Sequence, residues 1–126
     1  MWLGREEFEE LVSWALDGLP LAFAAELENI VIQVRDEPSR ETIESLGLDP
    51  RRSTLFGLYT GVPLEHRGGF YGNVLPDVVL LYRGPLLRAF RTREGLARQV
   101  RLTLLHELGH HFGFSDAQMR AWEETV

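Results

Sequence analysis

The residues most able to do chemistry lie together near the C-terminal end: His106-Glu107-Leu108-Gly109-His110-His111-Phe112-Gly113-Phe114-Ser115-Asp116. Two histidines four apart on a helix are separated by about 6 Å of rise and about 40° of rotation, so their imidazoles point the same way and can share one metal ion. Glu107 sits roughly 100° round the helix from His106, close enough to touch a water on that ion. Two imidazoles on zinc and a carboxylate placed to deprotonate an attacking water are what a hydrolytic zinc site requires.

A catalytic zinc takes three protein ligands and leaves a fourth position to water, so His106 and His110 need a third partner. Asp116 is the candidate. Three residues after His110 the helix must stop and the chain double back, and Gly113 turns there without steric cost. Asp116 has a second reading as an acid in the first turn of a last helix, where the dipole favours it, behind a Ser115–Gln118 capping pair. The spacing favours ligand over cap, with Glu123 and Glu124 as fallback third ligands. His106 and His110 as core histidines is the bland alternative. His-Glu-x-x-His alone arises by accident in on the order of a few chains per thousand, and the glycine and aspartate that follow make accident rarer still.

Other polar groups are weaker candidates. His111 projects about 100° away from His110 and reads as a packing or hydrogen-bonding neighbour. His66, in a glycine-rich turn, is a modest candidate for substrate contact. Tyr59, Tyr71 and Tyr82 read as core or rim aromatics, any one of which can donate to an oxyanion. The arginines from Arg83 to Arg101 read as a solvated face balancing an acidic N-terminus.

The elements that must hold this constellation are legible in the hydropathy pattern. Phe8, Leu11, Val12, Ala15, Leu16 and Leu19 recur at helical spacing over Arg5–Gly18, and Gly18 ends that helix. Pro20 is placed to open a second, short helix. Ile30–Val34 reads as a β-branched strand, and 37–54 as a polar loop holding one helical turn. Thr54–Thr60 is expected as another strand, with Pro63 suited to an edge. Asp77–Tyr82 follows as a strand covered on both faces and ended by Gly84 and Pro85. Thr92 caps a helix from about Arg93 to Phe112, with Leu96, Val100, Leu104 and Leu108 on its packed side and a Glu94–Arg98 pair on its wetter side.

Composition narrows the class. The 126 residues are expected as a single domain, 1–126, with 44% hydrophobic and 25% charged residues, the proportions of an ordinary globular protein. There is no cysteine, which excludes disulfides, thiolate ligands and cysteine nucleophiles. A net charge of −6, with every basic residue an arginine, argues against nucleic acid as a partner. No apolar run has the length to cross a bilayer and the N-terminus lacks the pattern of a secretory signal, so the expectation is a cytoplasmic protein without a membrane partner.

The full pattern, His-Glu-x-x-His-x-x-Gly-x-x-Asp, resembles that of the zincin metallopeptidases, in particular the metzincin-like branch with aspartate in place of the usual third histidine. It is closer still to the small bacterial zincin-like metallopeptidases. The motif match covers Thr103–Asp116. The wider similarity takes in Glu6–Leu19, Gly57-Leu58-Tyr59, Gly61-Val62-Pro63-Leu64 and the stretch from Leu75 to Pro85.

The resemblance implies an α+β minimal zincin: a small twisted mixed sheet packed on an active-site helix, with N-terminal and C-terminal helices. It also implies Zn²⁺ on His106, His110 and Asp116, Glu107 as general base, and a peptide or protein substrate. Metzincins place a methionine turn downstream of the third ligand, whereas Met119 lies only three residues past Asp116 on a predicted helix, too soon for that turn. The expected function is zinc-dependent peptide hydrolysis by a monomer or small homo-oligomer. The competing expectation is a non-catalytic zinc-binding or peptide-binding module on the same fold.

Overall fold

The computed structural model describes residues 2–60 and 77–126. Helix α1 (Arg5–Asp17) buries Phe8, Leu11, Val12 and Ala15, the stripe its sequence spacing predicts. Helix α2 (Leu21–Glu26) follows Pro20, and a single 3₁₀ turn (Leu27–Asn29) leads into strand β1 (Ile30–Arg35). Helix α3 (Arg40–Ser45), capped by the Ser39 hydroxyl, is the one helical turn expected in the polar loop. Strand β2 is only Gly57–Tyr59, shorter than the Thr54–Thr60 run suggests, and β3 spans Asp77–Tyr82. Helices α4 (Arg83–Ala89), α5 (Arg93–Leu108) and α6 (Asp116–Thr125) complete the chain.

The three strands form one mixed sheet in the order β1-β3-β2, with β1 parallel and β2 antiparallel to the central β3. Helices α5 and α1 pack together, and α5 also lies against β2 and β3. The core is aliphatic where these layers meet: Val79 and Leu81 of β3, and Leu96, Val100, Leu104, Leu105 and Leu108 of α5, are fully buried. Such complete burial is worth about 1.5–3 kcal/mol per side chain, so α5 is anchored along most of its length. The outer edge of β1 faces a cavity of about 540 Å³ beneath α1, where the Arg5 guanidinium donates to Val34 O at 2.6 Å. A charged group on an edge strand blunts its tendency to pair with another chain.

Besides the shorter β2, four expectations change. Gly84 and Pro85 do not simply end the strand; they lie in the first turn of α4, where the missing proline N–H has no helical partner to lose. In β3, Val79 and Leu81 are buried but Val78 and Leu80 are only half-buried, so one face is fully covered and the other partly. Arg98 Nη2 donates to the Glu123 carbonyl at 3.2 Å, tying α5 to α6, in place of the expected Glu94 pair. Regular α5 ends at Leu108, four residues short of Phe112. His66, Pro63, Tyr71 and the stretches 61–64 and 75–76 of the family resemblance lie outside the described residues. Among the described residues no helix is long and apolar enough to cross a membrane.

Candidate metal centre

His106 and Glu107 lie in the last turn of α5, whose opposite face is locked into the core by Leu104, Leu105 and Leu108. Beyond Leu108 the chain keeps its helical pitch for one more turn, with Gly109 N donating to Leu105 O (2.8 Å) and Phe112 N to Leu108 O (2.9 Å). His110 therefore stays on the same face as His106, as the four-residue spacing requires. Gly113 then takes φ +87°, a left-handed conformation that favours glycine. Phe114 N donates back to Gly109 O at 3.1 Å, which closes the turn. Ser115 Oγ accepts from Gln118 N at 3.2 Å and starts α6 at Asp116.

Two packing devices hold α6 against the motif. Phe23 of α2 meets Phe112, Phe114 and Trp122 with ring centroids 5.3, 6.1 and 6.2 Å away, an aromatic cluster under the Gly113 turn. Met119 is the buried residue of α6, and its thioether lies against the backbone of Gly109. A Cβ at Gly109 would run into that sulfur and into the Leu105 carbonyl. Met119 is thus a helix residue and forms no turn, as its position predicts, but it floors the end of the motif.

His106, His110, Asp116, Met119, Arg120 and Glu123 line one recess of about 180 Å³. Across it, His110 Nε2 is 2.6 Å from Asp116 Oδ1, and His106 Nε2 is 2.8 Å from Glu123 Oε1. The hydrogen bond from His110, the charge of the same imidazole and the more distant Arg120 guanidinium hold the Asp116 carboxyl below the ordinary aspartate range. Among the described residues no three His, Asp or Glu side chains converge on a single point as a finished metal shell. The arrangement is two imidazole–carboxylate pairs side by side.

That donor set fits zinc. Imidazole nitrogen and carboxylate oxygen are zinc ligands, bonded at about 2.0–2.2 Å, so neighbouring donors on a tetrahedral ion lie about 3.3 Å apart. Each of the two pairs, at 2.6 and 2.8 Å, sets one imidazole nitrogen against one carboxylate oxygen. His106, His110 and Asp116 are well exposed.

Glu107 does not line the recess. Its Oε2 accepts from the backbone N–H of Tyr59 at 3.2 Å, on the β2 side of the helix. Thr60 N donates to Val78 O and Tyr82 N to Phe56 O. Alternation along β2 therefore turns the Tyr59 N–H to the strand's outer edge, toward α5. The Tyr59 hydroxyl is 3.2 Å from the His111 ring nitrogens, and His111 Nε2 is 3.1 Å from Asp77 Oδ2. His111 accordingly has the hydrogen-bonding role expected of it, joining the motif to β2 and β3. Tyr82 is buried, and burial pushes its phenol pKa up. Arg83, Arg88 and Arg101 are engaged with Asp36, Glu37 and the Ala15 carbonyl, which makes them structural ties.

Sequence reasoning did not find two contributors, Arg120 in the recess and the Tyr59 backbone on Glu107. Arg120 was open to detection, since it falls between Asp116 and Glu123 on one helix face. The Tyr59 contact joins residues 48 apart and left no local signal.

An α+β domain with paired histidines at the end of its central helix, and carboxylates on the helix that doubles back, has the architecture of the zincin class. The Zincin-like metallopeptidase family model matches residues 27–125, and the chain belongs to that family. Among solved structures it is similar to a conserved hypothetical protein, TTHA0227, from Thermo thermophilus. That likeness has a TM-score of 0.53 at 24% identity over 86% of this chain and 94% of the other, and it bears on fold alone. No curated protein matches the chain.

Proposed function

We propose that the protein is a zinc-dependent peptidase, with His106, His110 and Asp116 holding the ion and Glu107 as general base. The observation that carries this reading is the shared recess in which both imidazole Nε2 atoms face α6, one of them against Asp116. A zinc ion held there supplies Lewis-acid polarisation of a carbonyl and lowers the pKa of water toward about 7. Glu107, held through one oxygen by Tyr59 N–H, has a second carboxylate oxygen with which to take the proton of the attacking water. It then returns that proton to the leaving amine. The outer edge of β2 beside Glu107 is where an extended peptide backbone would lie, adding its ladder to the sheet.

Glu107→Gln tests the assignment. It should leave zinc uptake unchanged while lowering hydrolysis of a peptide library by about 10²–10⁴-fold. Equal cleavage by wild type and mutant refutes Glu107 as base, and absence of zinc uptake at neutral pH by the wild type refutes the metal site. A second reading, a zinc-binding module without activity, is supported by Glu123. A structural zinc closes its shell with four protein ligands, and Glu123 supplies a fourth donor to the recess.

A further inference from the structure

Two carboxylates of α6 sit on the same kind of atom. Asp116 Oδ1 faces Nε2 of His110, and Glu123 Oε1 faces Nε2 of His106. A carboxylate that merely orients a metal-bound histidine binds the ring nitrogen the metal does not use. Here both Nε2 atoms face the recess in which an ion would sit, so Glu123 stands on the ligating side. Residues 116 and 123 are seven apart, two helical turns with about 20° of drift, and therefore share a face of α6. Helical side chains lean toward the N-terminus, which brings the longer glutamate back toward Asp116. The Glu123 side chain is also the least exposed of the four, at 32% against 58% for His106, 70% for His110 and 73% for Asp116. Its backbone is fixed by the Arg98 guanidinium at 3.2 Å.

Resting on the zinc reading above, we propose that Glu123 is a fourth protein ligand of the same ion, added to Asp116 and not replacing it. The resting shell is then two imidazole nitrogens and two carboxylate oxygens, with the position that water needs taken by Glu123. Hydrolysis requires Glu123 to release, and α6 becomes the element that governs access to the ion. The two functional readings are thereby reconciled: the site is closed as a structural zinc site is closed, and opens by loss of one monodentate carboxylate.

Zinc affinity measured by competition with a chromophoric chelator tests this in wild type, Glu123→Ala and Glu123→Gln. Glutamine keeps a hydrogen-bond partner for His106 but is a poor ligand, so it separates ligation from positioning. Both variants should bind zinc at least about tenfold more weakly, on the scale of losing one supporting group at a metal site. In the Co²⁺-loaded proteins, azide followed by the visible spectrum should bind Glu123→Ala at least about tenfold more tightly than wild type. Unchanged zinc affinity in Glu123→Ala, or equal azide binding by the two cobalt proteins, overturns the proposal. His106→Ala and His110→Ala distinguish the two levels of failure. If these lose zinc while Glu123→Ala does not, Glu123 alone is wrong; if these also keep it, the zinc site itself is wrong.

Discussion

The two helices that face each other across the recess are held by different means. Helix α5 buries seven residues, most of them aliphatic and several with no exposed surface, while α6 buries Met119 alone. What α6 lacks in burial it replaces with specific devices: the left-handed Gly113, the Ser115 cap, the Met119–Gly109 contact and half-buried aromatics around Phe23. The histidines are therefore placed by the global fold, and the carboxylates by a local latch. A metal centre assembled this way has a rigid half and a movable half. On the zinc reading proposed above, the half held by local contacts is the one that carries Asp116 and Glu123.

The contrast can be broken from the rigid side first, where the effect on stability is largest. Leu104→Ala removes a fully buried side chain of α5 and should cost about 2–5 kcal/mol in urea unfolding. Zinc affinity of the protein that remains folded should change little, because His106 and His110 keep their places on the same turn. A large affinity loss would mean that the histidines are no more firmly placed than the carboxylates. Met119→Ala acts on the other half. It empties the space beneath Gly109 and should cost about 2 kcal/mol, the lower end for a buried methionine, because the site lies near the surface. Here zinc affinity should fall together with stability, since Met119 sits between the two carboxylates. Stability loss without affinity loss would show that the latch does not position the ligands.

This division also explains what was legible in the sequence. The stripe Leu96, Val100, Leu104 and Leu108, the Thr92 cap and the turn at Gly113 follow from periodicity and local backbone chemistry, and all three are present. Histidine spacing is equally local, so their shared face could be read. Helix α4 could not, because Gly84 and Pro85 carry the same signal whether they end a strand or begin a helix. Met119 was read only as a methionine in the wrong place for a turn; its contact with Gly109 depends on how α6 docks, which no spacing rule specifies. Glu123 appeared only as a fallback for Asp116. Whether a carboxylate two turns further on reaches the same recess depends on how α6 docks on α5, where Phe23 meets both Phe112 and Trp122.

The smallest expected effect gives the sharpest test of the latch. Ser115→Ala removes one hydrogen bond, from Gln118 N to Ser115 Oγ, and a lost N-cap costs about 0.5–2 kcal/mol of helix stability. That hydroxyl is spent on the cap, while the imidazoles bond to Asp116 and Glu123. The influence of Ser115 on zinc therefore has to pass through the start of α6, where Asp116 is the next residue. If α6 is a local latch, the cap loss should appear as a severalfold drop in zinc affinity, and saturating zinc should restore part of the lost stability. At a hundredfold excess over Kd, bound ligand contributes about 2.7 kcal/mol, which exceeds the cap and makes the rescue measurable by thermal unfolding. Should Ser115→Ala lower stability while leaving zinc affinity at the wild-type value, the first turn of α6 would be held by its aromatic packing alone. Asp116 would then belong with the histidines to the rigid half of the site, and Glu123 would be the only ligand left free to move.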